Sequence, residues 1–173
     1  MEFPMPVVTE YIIRIIAVSM ASFHIYTSYF GTFYPYTQRS LPVMLALILT
    51  FLTIRARKDT SKDAPVPIYD WLLVALTIPA VGYITFNSDY LANRWPMTST
   101  FPVTDLEILF GTIAALLILE ATRRLLGWLL VIVAVVALIY TYWGEHLPFL
   151  SLKHRVYTFE HMLDYMYLSL IHI

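Results

Sequence analysis

Between Asp105 and Trp143 the chain carries two long apolar runs, Leu106–Leu119 and Leu125–Tyr142, interrupted once by Glu120-Ala-Thr-Arg-Arg124. A single helix over this stretch would be about 58 Å long at 1.5 Å per residue. A bilayer core is only about 30 Å thick. The stretch is therefore expected to fold back on itself, with the Glu120–Arg124 cluster at the bend. Two arms of that apolarity exclude an ordinary soluble domain and predict an all-α, polytopic membrane protein.

Composition supports this. Hydrophobic residues make up 59% of the 173, charged residues 13%, and mean hydropathy is +0.68. Soluble domains have about 45–50% apolar and about 25% charged residues. A formal net charge of −1 argues against a nucleic-acid partner, which calls for a basic stripe. The chain has no cysteine, which removes disulfides, thiolate metal sites and cysteine nucleophiles together. Met1–Glu10 carries two glutamates and no basic residue, unlike a cleavable signal, so the first apolar run is read as a retained span.

Five spans are expected: about 11–30, 37–55, 69–87, 105–121 and 125–143. The first is interrupted by Arg14, Ser19, Ser22, His24, Thr27 and Ser28. Arg14 can snorkel to the interface, and Ser22 and Ser28, with Ala17, Ala21 and Gly31, can admit a second helix at close range. The run ends in an aromatic cluster, Phe30 to Tyr36, of the kind found at membrane–water boundaries. In the second span Ser40 is the expected N-cap and Pro42 falls in the first turn. Arg55, Arg57 and Lys58, followed by Lys62, mark the strongest cytoplasmic signal. The third span opens on Tyr69-Asp70-Trp71, an acid at a helix start beside interfacial aromatics, and Pro79 and Gly82 predict a kink. Residues 87–104 read as the longest loop. Thr104-Asp105-Leu106-Glu107 is a capping-box pattern ahead of the fourth span.

The positive-inside rule places residues 55–62 and the Arg123-Arg124 bend in the cytoplasm, with the N-terminus also inside and the 87–104 loop outside. A four-span arrangement would put one basic cluster on the wrong side. Residues 144–173 read as an outer loop followed by an amphipathic helix, with Phe159, Met162, Leu163, Met166, Tyr167 and Leu170 on one face.

Candidate chemistry is sparse. Glu120 can pair with Arg123 and Arg124 at helical spacing, and an intramembrane acid is a functional suspect. A cytoplasmic corner in which the arginines set orientation and meet lipid phosphate accounts for the same residues. His24 is the only histidine well inside an apolar run, so a haem site has no second ligand at matching depth, and a packed, hydrogen-bonded histidine is expected. Asp70, Asp105 and Glu107 are explained by helix starts. No nucleophile elbow, zinc-protease motif or phosphate loop is present.

Tyr69-Asp70-Trp71-Leu72, Asp105-Leu106 opening a span, Leu119-Glu-Ala-Thr-Arg-Arg124 with Gly127-Trp128, and His154-Arg155-x-Tyr157 together resemble the N-terminal part of fused TRAP (tripartite ATP-independent periplasmic) transporter permeases, of the type that works with TAXI-class binding proteins. The resemblance spans most of residues 10–168, and the LEATRR…GW element is its most specific part. It implies a small four-helix membrane domain, here residues 1–124, with 125–143 as a helix connecting to a large transport domain. The implied function is a scaffold in the sodium-coupled import of organic anions delivered by a periplasmic binding protein. No enzyme activity and no cofactor of this segment are implied, and sodium and substrate belong to the large domain. The implied location is a bacterial or archaeal cytoplasmic membrane. The implied partners are the permease domain, the TAXI-type binding protein and lipid. The family continues past Tyr167, whereas this chain closes on Leu168-Ser-Leu-Ile-His-Ile173, which resembles translated sequencing adapter. An incomplete reading frame is therefore expected. The alternatives are a free-standing small subunit that partners a separate permease and, further off, an intramembrane enzyme or redox protein built on His24 or Glu120.

Overall fold

The structure is a computed structural model that describes residues 7–56, 66–93 and 104–143. All regular structure among these residues is helical. The expected amphipathic helix in 144–173, and Arg57 and Lys58, lie outside the described residues. By compactness the chain falls into two units, Met1–Trp95 and Pro96–Ile173.

The first unit holds α1 (Val7–Phe30), α2 (Pro35–Thr53), α3 (Ile68–Phe86) and a short α4 (Ser88–Asn93). Gly31 ends α1 with a φ of 102°, a conformation open to glycine and costly for other residues. Four residues later α2 starts at Pro35, whose missing N–H is harmless in a first turn and whose ring presets φ. This corrects the expected start. Ser40 does not cap α2; it lies inside the helix, where its hydroxyl meets Thr85, and Pro42 is likewise internal. Helix α2 closes at Ile54, which turns to extended backbone, and the Arg55 guanidinium donates to the Leu52 carbonyl at 3.4 Å, a cation placed at a helix C-terminus.

Helices α2 and α3 pack antiparallel. Thr37 and Ser40 meet Thr85, and Met44 lies opposite Gly82, so the α3 partner's number falls as α2 advances. The buried face of α3 follows a heptad-like spacing: Asp70, Val74, Thr77, Val81 and Ile84, with Ala80 and Gly82 alongside. Helix α2 packs against α3 and buries Leu47, Ile48, Phe51 and Leu52, the last two fully. Helix α4 packs against α2 and α3, and its Leu91 is buried. It occupies a place read from sequence as loop. Helix α1 touches α2, and among its residues of described burial only Thr9 and Thr27 are buried; Thr27 donates to the His24 carbonyl. Ala21, Ser22 and Ser28 are exposed, so the small residues expected to admit another helix meet none among the described residues.

The second unit holds α5 (Asp105–Leu126) and α6 (Trp128–Trp143), which are in contact. The capping box forms: the Thr104 N–H donates to Glu107 at 2.7 Å. Glu107, Gly111, Ala114, Leu117 and Ala121 form one buried stripe on α5. The break does not fall within Glu120–Arg124 as expected. The helix runs through those residues to Leu126 and ends at Gly127, where φ is 89°. Pairs at i,i+3 and i,i+4 reinforce helix, and two arginines in the last turn suit its dipole, so the charge cluster extends α5 and the glycine ends it.

Among the described residues two helices are long and apolar enough to cross a bilayer: α1 over Val8–Phe30 and α3 over Ile68–Phe86. Helix α6 is apolar but short, and α5 carries Asp105, Glu107, Glu120, Arg123 and Arg124. Length and composition alone therefore support fewer spans than the four to five expected.

Candidate functional site

The α5–α6 corner is the most fully built cluster of charge among the described residues. One turn of helix sets Glu120 beside Arg123 and Arg124. Arg123 grips the carboxylate with two nitrogens, Nε to Oε2 and Nη2 to Oε1, each at 2.7 Å. Arg124 Nε donates to the same Oε1 at 2.8 Å. Parallel bonds from a planar guanidinium to a carboxylate are among the stronger side-chain pairings. The Arg124 side chain is only 1% exposed, whereas Glu120 and Arg123 are at 27% and 24%. The Arg123 guanidinium also lies 5.5 Å from the ring centroid of Trp128, the first residue of α6. A cation over an indole face is attracted by its quadrupole. The two helices are therefore tied across Gly127 by one charge chain, Glu120 to Arg123 to Trp128.

Two guanidinium groups on one carboxylate leave a net single positive charge at the end of an apolar helix. All three of the hydrogen bonds described at this carboxylate come from cations, so it serves to fix the corner. The cluster can orient a helix end and present positive charge to a phosphate-rich surface. Trp128 is absent from the sequence-based candidates, although it stands one residue past the helix-ending glycine.

The second group of candidates lies at one end of the α2–α3 pair. Arg55 follows the end of α2 there, and Asp70 lies in the first turn of α3 as expected. The Asp70 carboxylate is fully buried. The reason is angular: Asp70 begins the inward stripe of α3, while Tyr69 and Trp71, one position to either side, point outward and are exposed. At the other end of the pair, Ser40 and Thr85 hydroxyls lie 2.7 Å apart, and Thr37 donates to the Thr85 carbonyl at 3.3 Å. Sequence reasoning missed this hydroxyl cluster. Its only signal is that Thr85 follows Gly82 at helical spacing.

Asp105 is exposed at the first position of α5, and the buried Glu107 makes the capping bond in its place. His24 is exposed on α1 rather than packed in a bundle. Its ring stands edge-on to Phe23 at 5.7 Å, and its carbonyl accepts from Thr27 and Ser28. Among the described residues no three His, Asp or Glu side chains gather as metal ligands would. Comparison with protein-family models, with curated proteins and with solved structures finds no match.

Proposed function

We propose that this chain is the scaffold membrane domain of a TRAP-type secondary transporter, the module that braces a large transport domain during sodium-coupled import of organic anions. The observation that carries the reading is the corner. The residues with the most specific resemblance, Glu120, Arg123, Arg124, Gly127 and Trp128, are the ones engaged with each other where α5 gives way to α6. In this reading α1, α2, α3, α5 and α6 all cross the membrane, with the corner and Arg55 on the cytoplasmic side. Helices α2 and α5 have 19 and 22 residues, long enough for about 28 and 33 Å at 1.5 Å per residue. They carry more polar residues than a lone span tolerates because parts of both are buried in protein.

The chain's lack of cysteine makes the topology directly testable. Single cysteines at Thr32 and Ser99 are expected to react with an impermeant maleimide from the outside of intact cells. A cysteine at Thr60 is expected to react only after permeabilisation. Labelling of Thr60→Cys in intact cells would remove the five-span arrangement. The transport role is tested in proteoliposomes that hold this chain with a TRAP-type permease domain, a sodium gradient and a periplasmic organic-anion binding protein. Deletion of residues 94–103 is expected to abolish uptake while membrane insertion persists. In this reading the outer loop over residues 87–104 docks the binding protein, and uptake at the parental rate would end that role. If a complex with a separately encoded permease is recovered, the chain acts as a free-standing small subunit of the same transporter type.

A further inference from the structure

Helix α1 ends in an aromatic collar that neither the bundle nor the corner uses. Tyr26 stacks on Phe30 at 4.9 Å, and Tyr29 stands edge-on to Phe30 at 4.8 Å. The positive φ of Gly31 turns the chain so that Phe33 comes back over both Phe23 and Tyr26, each at 5.9 Å. The rings therefore form one connected group assembled by a chain reversal, not a run of separate side chains. Most of the group is open: Tyr29 is 82% exposed and Phe30 69%. Toward the other end of the helix, Glu10 and Arg14 pair at 2.6 Å with both side chains exposed. Glu10 and Tyr29 are about 28 Å apart along the axis at 1.5 Å per residue, close to the roughly 30 Å of a bilayer core.

The surface between these markers exposes Ile15, Val18 and Ile25, each by at least 64%, with the smaller Ala17, Ala21 and Ser22 exposed among them. Helices that pack on one another in a membrane bring small residues to the contact, because apolar bulk alone gains nothing over lipid. Ile15, Val18 and Ile25 stand out from that surface, and its length between an ion pair at one end and tyrosine hydroxyls at the other matches acyl chains bounded by two headgroup layers.

We propose that the collar of Phe23, Tyr26, Tyr29, Phe30 and Phe33 docks in the headgroup–glycerol layer of the outer leaflet, and that the outward face of α1 lies against acyl chains. This rests on the membrane reading above. It makes α1 the lipid-facing edge of its unit and the collar the device that sets its depth.

The test uses single nitroxide labels at Tyr11→Cys, Val18→Cys, Ile25→Cys and Thr32→Cys. The labelled chain is placed in vesicles of phosphatidylethanolamine and phosphatidylglycerol, with Ile78→Cys on α3 as reference. Collisions with oxygen report lipid, and collisions with a water-soluble nickel chelate report water. The expected profile has Val18 dominated by oxygen and Thr32 several-fold more accessible to nickel, with Tyr11 and Ile25 between. Replacing Tyr26 and Phe33 by leucine, which keeps the surface apolar, is expected to shift the Ile25 label along this profile. Labels on α1 shielded from both reagents mean that protein covers the helix, which overturns the proposal. So does water at α1 while Ile78 stays in lipid, and so does an Ile25 profile unmoved by the leucine pair. Water at Ile78 as well as at all α1 positions removes the membrane reading itself.

Discussion

Helices α1 and α3 have nearly equal hydropathy, 1.4 and 1.5 over their most apolar windows, yet 6% of that window is buried in α1 and 39% in α3. Apolarity therefore does not say what a helix lies beside. What separates them is the arrangement of small and hydroxyl residues. In α3, Thr77, Ala80 and Gly82 fall on or beside the stripe that faces α2, so the backbones approach and each side chain has a fitted neighbour. In α1 the corresponding residues, Ala21, Ser22 and Ser28, lie outside the buried positions Thr9 and Thr27. The hydroxyls of Ser28 and Thr77 both donate to their own helix, at His24 and Leu73, so it is position on the helix and not hydrogen bonding that differs.

The widest contrast is expected from phenylalanines. Phe51→Ala opens a cavity at the α2–α3 contact and is expected to cost about 3 kcal/mol, the low end for such truncations, because lipid replaces water in part of the reference state. Phe30→Ala, on exposed α1, is expected to stay within about 0.5 kcal/mol. Unfolding titrations of both variants in mixed micelles decide this; equal losses would mean that α1 is packed after all. Next come alanines. Ala80→Leu overpacks a site with no free surface and is expected to cost about 2 kcal/mol, whereas Ala21→Leu is expected to be neutral by the same measurement.

Glycines sharpen the comparison by reversing its sign. Gly31→Ala puts a Cβ into open space but onto a φ of 102°, so strain alone is expected to cost about 1–2 kcal/mol. Gly82→Ala would meet Phe86 at 3.5 Å and Met44 at 3.7 Å, which are ordinary contacts, and is expected to gain about 0.5 kcal/mol from the stiffer helix. A loss at Gly82 would show that α2 and α3 need closer backbone approach than these distances indicate. A last comparison tests the hydroxyl pair. Ser40→Ala and Thr85→Val are each expected to cost about 1 kcal/mol, and the double variant less than their sum. Strict additivity would show that the 2.7 Å contact contributes nothing of its own.

The corner was legible in part. The spacing of Glu120, Arg123 and Arg124 predicts the ion pairs, and they form. Reading the same charges as the bend was an error of weight: charge favours a helix end, but only a residue tolerant of positive φ creates one, and that residue is Gly127. Ser40 departs from its expected capping role for a similar reason. A serine before an apolar run resembles an N-cap, but Pro35 had already started the helix. The capping box at Thr104 needed no tertiary information, because both of its partners lie within one turn.

By itself the sequence determined what acts over one or two turns. It set the helical class, the position of most helix ends, the α5 cap and the Glu120 pairs, because those contacts close before any helix meets another. Tertiary structure decided which way each helix faces. It turned Asp70 inward between two outward aromatics, joined Ser40 to Thr85 across 45 positions and left α1 bare. Those outcomes depend on the register and angle of packed helices, which hydropathy, an average around the helix, does not contain.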